Sequence, residues 1–167
     1  MSTSTAPVVL RPPRHRVSSK AIRYWTIRAL PLWLVVVAGQ VIWWLAAGDG
    51  AFWHIVGYAI TAVLAAAHLI VMPRWRFRVH RWEVTDEAVY TQTGWFDQEW
   101  RIAPLSRIQT VDTERGPFEA LFGLANVTIT TASAAGPIKV HGLDRPVALD
   151  LADALTERTQ AASGDAT

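Results

Sequence analysis

Two long stretches without a charged residue constrain this chain more than any other feature. Residues 29–47 read ALPLWLVVVAGQVIWWLAA and residues 51–72 read AFWHIVGYAITAVLAAAHLIVM. At about 1.5 Å per residue they reach roughly 29 and 33 Å, enough for a bilayer core of about 30 Å. Only Gly48, Asp49 and Gly50 lie between them, so two spanning helices must form a tight antiparallel hairpin. Trp43, Trp44, Phe52 and Trp53 flank the turn, and Trp25 and Trp75 flank the other end, where an interfacial aromatic belt belongs. A cleaved signal peptide fits poorly. The first run is too long, carries two Trp before Ala46-Ala47-Gly48, and is followed at once by the second. Two core helices of a soluble protein would show a polar face, which these runs lack.

The net charge of +2, from 16 Lys+Arg and 14 Asp+Glu, hides a segregation. Arg11, Arg14, Arg16, Lys20, Arg23 and Arg28 precede the first run without an acid among them. Arg74, Arg76, Arg78 and Arg81 follow the second in the same way. Residues 82–167 hold 6 cations and 13 anions, a net of −7. With both outer flanks basic and only Asp49 in the turn, the positive-inside rule predicts a multi-pass plasma-membrane protein whose two termini are cytoplasmic. Arg23, Arg28, Arg74, Arg76 and Arg78 are then expected among the lipid headgroups, each contributing about 1 kcal/mol at an anionic surface. Plain topology signalling explains the same residues. The first 20 residues, rich in Ser, Thr and Pro and without periodicity, are expected to be a flexible basic segment.

Three polar side chains interrupt the spans: Gln40, His54 and His68. Interhelical hydrogen bonding accounts for Gln40 and His68, and snorkelling suits the His residues near the interfaces. The alternative is a proton relay or metal site. His54 and His68 lie about 21 Å apart along one helix and cannot share a metal.

Beyond Pro73 the period changes to two. Trp75, Phe77, Val79 and Arg81 alternate with Arg74, Arg76, Arg78 and His80, which predicts a strand running on through Thr85. Further strands are expected at 88–93, at 99–103 with Trp100 and Ile102 on one face, and at 107–115. Others follow at 126–131, with Val127 and Ile129 inward and Thr128 outward, and around Ile138 and Val140. One helical turn at 118–122 should pack Phe118, Leu121 and Phe122 inward. A final helix opens at Asp144-Arg145-Pro146, with Val147, Leu151, Ala154 and Leu155 as its apolar stripe. Such a run of short antiparallel strands protects its edges by closing, or nearly closing, into a barrel with the helix at one end.

The chain at this point resembles a known family. The two-span hairpin is followed by Trp82-Glu83-Val84-Thr85-Asp86 and Pro104-Leu105-Ser106-Arg107-Ile108-Gln109. Then come Phe122-Gly123-Leu124-Ala125-Asn126-Val127, Thr131-Ala132-Ser133 and Ile138-Lys139-Val140-His141-Gly142-Leu143. In this order, over roughly residues 8–160, they resemble bacterial pleckstrin-homology-like (PH-like) domain proteins of the YdbS-like, membrane-anchored type. The resemblance implies a PH-like barrel with a C-terminal helix and says little about activity, because such barrels host many functions.

The expected fold is therefore α+β. A flexible segment (1–20) leads into a two-helix transmembrane hairpin (21–73), then a small antiparallel PH-like barrel or sandwich capped by a C-terminal helix (74–163), and a tail (164–167). The chain has no cysteine, which removes thiolate ligands and nucleophiles. The five His residues are scattered, and no phosphate-loop, dinucleotide, zinc-protease or nucleophile-elbow motif is present. No catalytic activity, cofactor, metal or small-molecule substrate is expected. Nor is nucleic acid, since the domain lacks a broad basic face. The expected role is a non-catalytic interaction or accessory subunit. It would contact a membrane-protein partner, or more copies of itself, through Arg107, Gln109, Lys139 and His141. The alternatives are a module that senses anionic headgroups and a component of an oligomeric transport complex built around Gln40 and His68.

Overall fold

The computed structural model describes residues 11–47, 50–134 and 136–164. The expectations for residues 1–10, the Gly48-Asp49 turn and residues 165–167 lie outside them. Helix α1 (Lys20–Ala47) runs unbroken. Helix α2 (Ala51–Ala66) passes through a π-helical turn (Ala67–Val71) into α3 (Met72–Val79). The two helices, Lys20–Ala46 and Ala51–Val79, are long and apolar enough to cross a membrane. Leu34, Val35, Leu45 and Val63 stand 67–81 % exposed on their outer surface, far more contiguous apolar area than a water-facing helix carries.

Both helices continue past the apolar runs into the domain, α1 starting nine residues earlier and α3 ending seven later. The strand expected from Trp75 is therefore the last two turns of a helix, and the first strand after it begins only at Arg81. The physical reason is tertiary: Arg76 stacks on Trp25 of α1, Val79 is buried, and the His80 amide donates to the Arg76 carbonyl, so the helix continues past the apolar run. Pro73 cannot donate to the carbonyl of Leu69, four residues back. That carbonyl accepts the Thr26 hydroxyl of α1 instead, at 3.3 Å.

Strands β1 (His15–Arg16), β2 (Arg81–Val84), β3 (Ala88–Gly94) and β4 (Gln98–Pro104) form one antiparallel sheet in that order. A 3-10 turn (Leu105–Arg107) leads into β5 (Ile108–Glu114), α4 (Pro117–Leu121), β6 (Leu124–Thr131) and β7 (Ile138–Asp144), and β5-β6-β7 form the second sheet. Among the described residues the two sheets share no strand, so the domain is an open sandwich rather than a closed barrel, with β4 as one of its edge strands. The core contains Val89, Leu124, Val127, Ile129, Val140 and Leu143, covered by α5 (Arg145–Gly164) through Ala148, Leu151 and Leu155.

Several local expectations need correction. Residues 11–19 are packed rather than free: β1 pairs with β2, and Val17 and Ser18 are buried. Trp25 is not in an interfacial belt but 4 % exposed inside the domain core. Thr128 is buried, and Val147 is 40 % exposed while its neighbour Ala148 faces the sheet. Phe118 and Leu121 point outward, 63 % and 80 % exposed. The domain-facing side of α4 is taken by Glu119, which binds Tyr24, and by Phe122, whose ring meets the Tyr24 ring edge-on.

Candidate functional site

The domain meets the hairpin along a seam built by the start of α1. Gly142 on β7 has φ +74°, and a Cβ there would lie 3.0 Å from the Cβ of Ala21. Only glycine both adopts that conformation without strain and lets the helix approach so closely. The Gly142 carbonyl accepts the Ser18 amide at 2.8 Å, and its own amide donates to Asn126 Oδ1 at 2.9 Å.

Charges reinforce the seam. Lys20 Nζ lies 2.7 Å from Asp144 Oδ1. Arg11 and Arg14 reach Glu83 at 2.8 and 3.3 Å. Burial would raise the Glu83 carboxyl, but the bonds from Arg11 and the Arg14 backbone amide, with both guanidinium charges, outweigh it and hold it below the usual range. Lys20 does the same for Asp144. The basic N-terminal segment therefore answers the acidic domain directly.

Of the cations expected at headgroups, Arg23, Arg28, Arg74 and Arg78 are exposed. Arg76 is instead turned inward. Its guanidinium lies 4.7 Å from the Trp25 ring, with Nε 3.4 Å from His80 Nε2. His80 is buried, and its Nδ1 lies 2.9 Å from the Arg76 carbonyl. Next to this stack is a polar crevice of about 380 Å³ lined by Tyr24, Arg28, Arg76, Glu119, Asn126 and His141. In it, Arg28 donates to the Tyr24 hydroxyl at 2.8 Å, and that hydroxyl donates to Glu119 at 2.7 Å. The Glu119 carboxyl is held low chiefly by this bond. His141 is pushed below an ordinary imidazole by burial and then by the charge of Arg76.

The four residues expected to bind a partner fall in separate places. Arg107 lines a cleft of about 260 Å³ at the open edge of the sandwich, with Trp100 and Ile102 of β4, Gly136 of the β6–β7 loop and Ile138 of β7. Lys139 and His141 line another of about 230 Å³, with Thr91, Glu99 and Arg101. Gln109 is exposed on β5 beside a bulge and lines neither. Arg101 borders both clefts and fixes the β6–β7 loop by donating to the Pro137 carbonyl at 3.0 Å. Trp100 and Ile102, 36 % and 46 % exposed, were not legible as cleft residues. Period-two alternation shows that they share a face but not that the face is left open.

In the hairpin, Gln40 Nε2 donates to the Thr61 hydroxyl at 2.6 Å and to the Gly57 carbonyl at 3.3 Å. Trp33 Nε1 donates to His68 Nδ1 at 3.0 Å. His54 is buried between α1 and α2, its ring 4.6 Å from that of Trp43. Among the described residues no group of three His, Asp or Glu side chains could hold a metal ion.

Comparison with known proteins places this architecture. The bacterial PH domain family model matches residues 25–159. The chain is 28 % identical over 132 residues to the UPF0699 transmembrane protein YdbS of Bacillus subtilis (strain 168), covering 72 % of this chain and 78 % of that one. No solved structure matches significantly.

Proposed function

This chain belongs to the bacterial PH domain family, and from that premise we propose that it is a membrane-tethered, non-catalytic interaction subunit whose open β4 edge receives a protein partner. By the positive-inside rule the domain works on the cytoplasmic side. The observation that carries the reading is the edge itself. Among the described residues, the seven of Gln98–Pro104 pair with β3 on one flank and with no strand on the other. Proteins protect such strands with bulges, charges or covering elements unless the edge is used. Here Trp100 and Ile102 stand half-exposed over the cleft, and Arg107 supplies one cation at its rim. An extended segment adding to β4 would gain main-chain hydrogen bonds from the edge and side-chain selectivity from the cleft. Tethering suits weak contacts of this kind, because it raises the effective concentration of a partner in the same membrane.

A photo-crosslinking side chain at Ile102, with the same group at Asp153 on the exposed face of α5 as control, tests this in native membranes. A discrete adduct formed from position 102, absent from position 153 and lost in Arg107→Glu, is expected. Indistinguishable labelling from the two positions would refute the assignment.

A further inference from the structure

Four large apolar side chains stand out from the domain at two tips. Trp95 and Phe96 form the β3–β4 hairpin, 47 % and 87 % exposed, and Phe118 and Leu121 project from α4 at 63 % and 80 %. Both tips are fastened to the helices where they leave the apolar runs. Phe118 shares an apolar pocket with Ile27 and Pro31 of α1, and Pro31 lies inside the first run. Trp75, three residues past the end of the second run, donates its indole N–H to the Trp95 carbonyl at 2.8 Å. Lipid that covers Pro31 therefore reaches Phe118 at the same depth. Trp95 sits about one turn further out, where the amphipathic Trp ring is most stable.

We propose that these two tips are bilayer-docking prongs: Phe118 and Leu121 on one side of the hairpin, and Trp95 and Phe96 on the other, insert into the headgroup–acyl boundary of the leaflet from which the domain emerges. The occupant is lipid because the prongs continue the surface of the spans. The exposed cations around them (Arg28, Arg74, Arg78 and Arg115) complement lipid phosphate. Arg115 donates to the Ala120 carbonyl at 2.9 Å, which holds a guanidinium beside the Phe118–Leu121 prong. Held at two tips as well as by two helices, the domain cannot roll on its tether, and the β4 edge keeps one fixed aspect to the membrane plane. This inference is independent of the partner assigned to that edge.

The absence of cysteine makes the test clean. Single spin labels are attached to Phe96→Cys, Phe118→Cys, Leu121→Cys and Asp153→Cys in the full chain, in vesicles of phosphatidylcholine and phosphatidylglycerol. Collision with oxygen, which concentrates in lipid, is compared with collision with an aqueous nickel chelate. The oxygen-to-nickel ratio should be several-fold higher at the three prong positions than at Asp153→Cys. Ratios equal to that control would overturn the proposal. So would spin–spin broadening at the prongs that scales with protein density, since a second copy would then be the occupant. All three prong residues are exposed, so labelling leaves the core intact.

Discussion

Lowering the pH should destabilise the fold through His80. The ring is 2 % exposed, lies 5.3 Å from the Trp25 ring, and accepts from Arg76 Nε at Nε2. Its Nδ1 therefore carries the proton and donates to the Arg76 carbonyl. Burial, and then the charge of Arg76, push its pKa from 6.5 down to about 4. The folded state thus binds fewer protons than the unfolded chain between those values, and stability must fall as pH drops through that window. The gap corresponds to about 3 kcal/mol, or a loss of roughly 6–12 °C in Tm for a chain of this size. The assay is thermal unfolding in detergent, followed by circular dichroism from pH 7 to 4, for wild type and His80→Asn. Asn can keep a donor near the Arg76 carbonyl but cannot titrate. His141 is also held low, and its charge is one of those acting on His80, so the same comparison is repeated in a His141→Asn background to isolate His80. Glu83, Glu119 and Asp144, all held low, begin to lose their contributions as pH falls towards their ordinary values of 4.5 and 3.8, at the acid end of the scan and in both proteins alike. The variant should start less stable and then lose less, so the curves converge towards pH 4. Parallel curves would refute the reasoning.

Two further perturbations probe the seam and the hairpin. Gly142→Ala should cost about 1–3 kcal/mol, and clearly more than Gly136→Ala, because both need a positive φ but only Gly142 meets Ala21 at 3.0 Å. Equal Tm losses for the pair would show that the close approach of α1 does not matter. Gln40→Ala, which removes the donor to Thr61 and Gly57, should lower hairpin stability by about 0.6 kcal/mol and no more than about 1.7. A steric-trapping measurement in bicelles checks this, and a much larger loss would point to a role beyond helix pairing.

The hairpin was legible because its signal is cumulative: no single residue in 29–47 or 51–72 matters as much as the unbroken absence of charge. The strands from Ala88 onward were legible by alternation. Failures came where two periods competed. Arg74–Arg81 alternates like a strand, yet the chain is helical to Val79, with Arg76 stacked on Trp25 of α1 and Val79 buried. Phe118 and Leu121 look like core by residue type, but a single turn offers one inward face, and Glu119 and Phe122 occupy it. Of the candidate partner residues, sequence could nominate Arg107, Lys139 and His141, but not that Arg107 faces a different cleft from the other two.

What the sequence determined by itself is therefore what depends on sums over neighbours in the chain. These are two apolar helices, a basic collar on each outer flank, an acidic mixed domain and membership of a family. Tertiary structure decided everything that depends on residues distant in the chain. Arg11 and Arg14 meet Glu83, Lys20 meets Asp144, and Ala21 meets Gly142. These contacts span some 70 to 120 positions, and each is a short-range interaction, strong only within a few ångströms. No local pattern encodes such a distance, so the joint between hairpin and domain becomes visible only once the chain has folded.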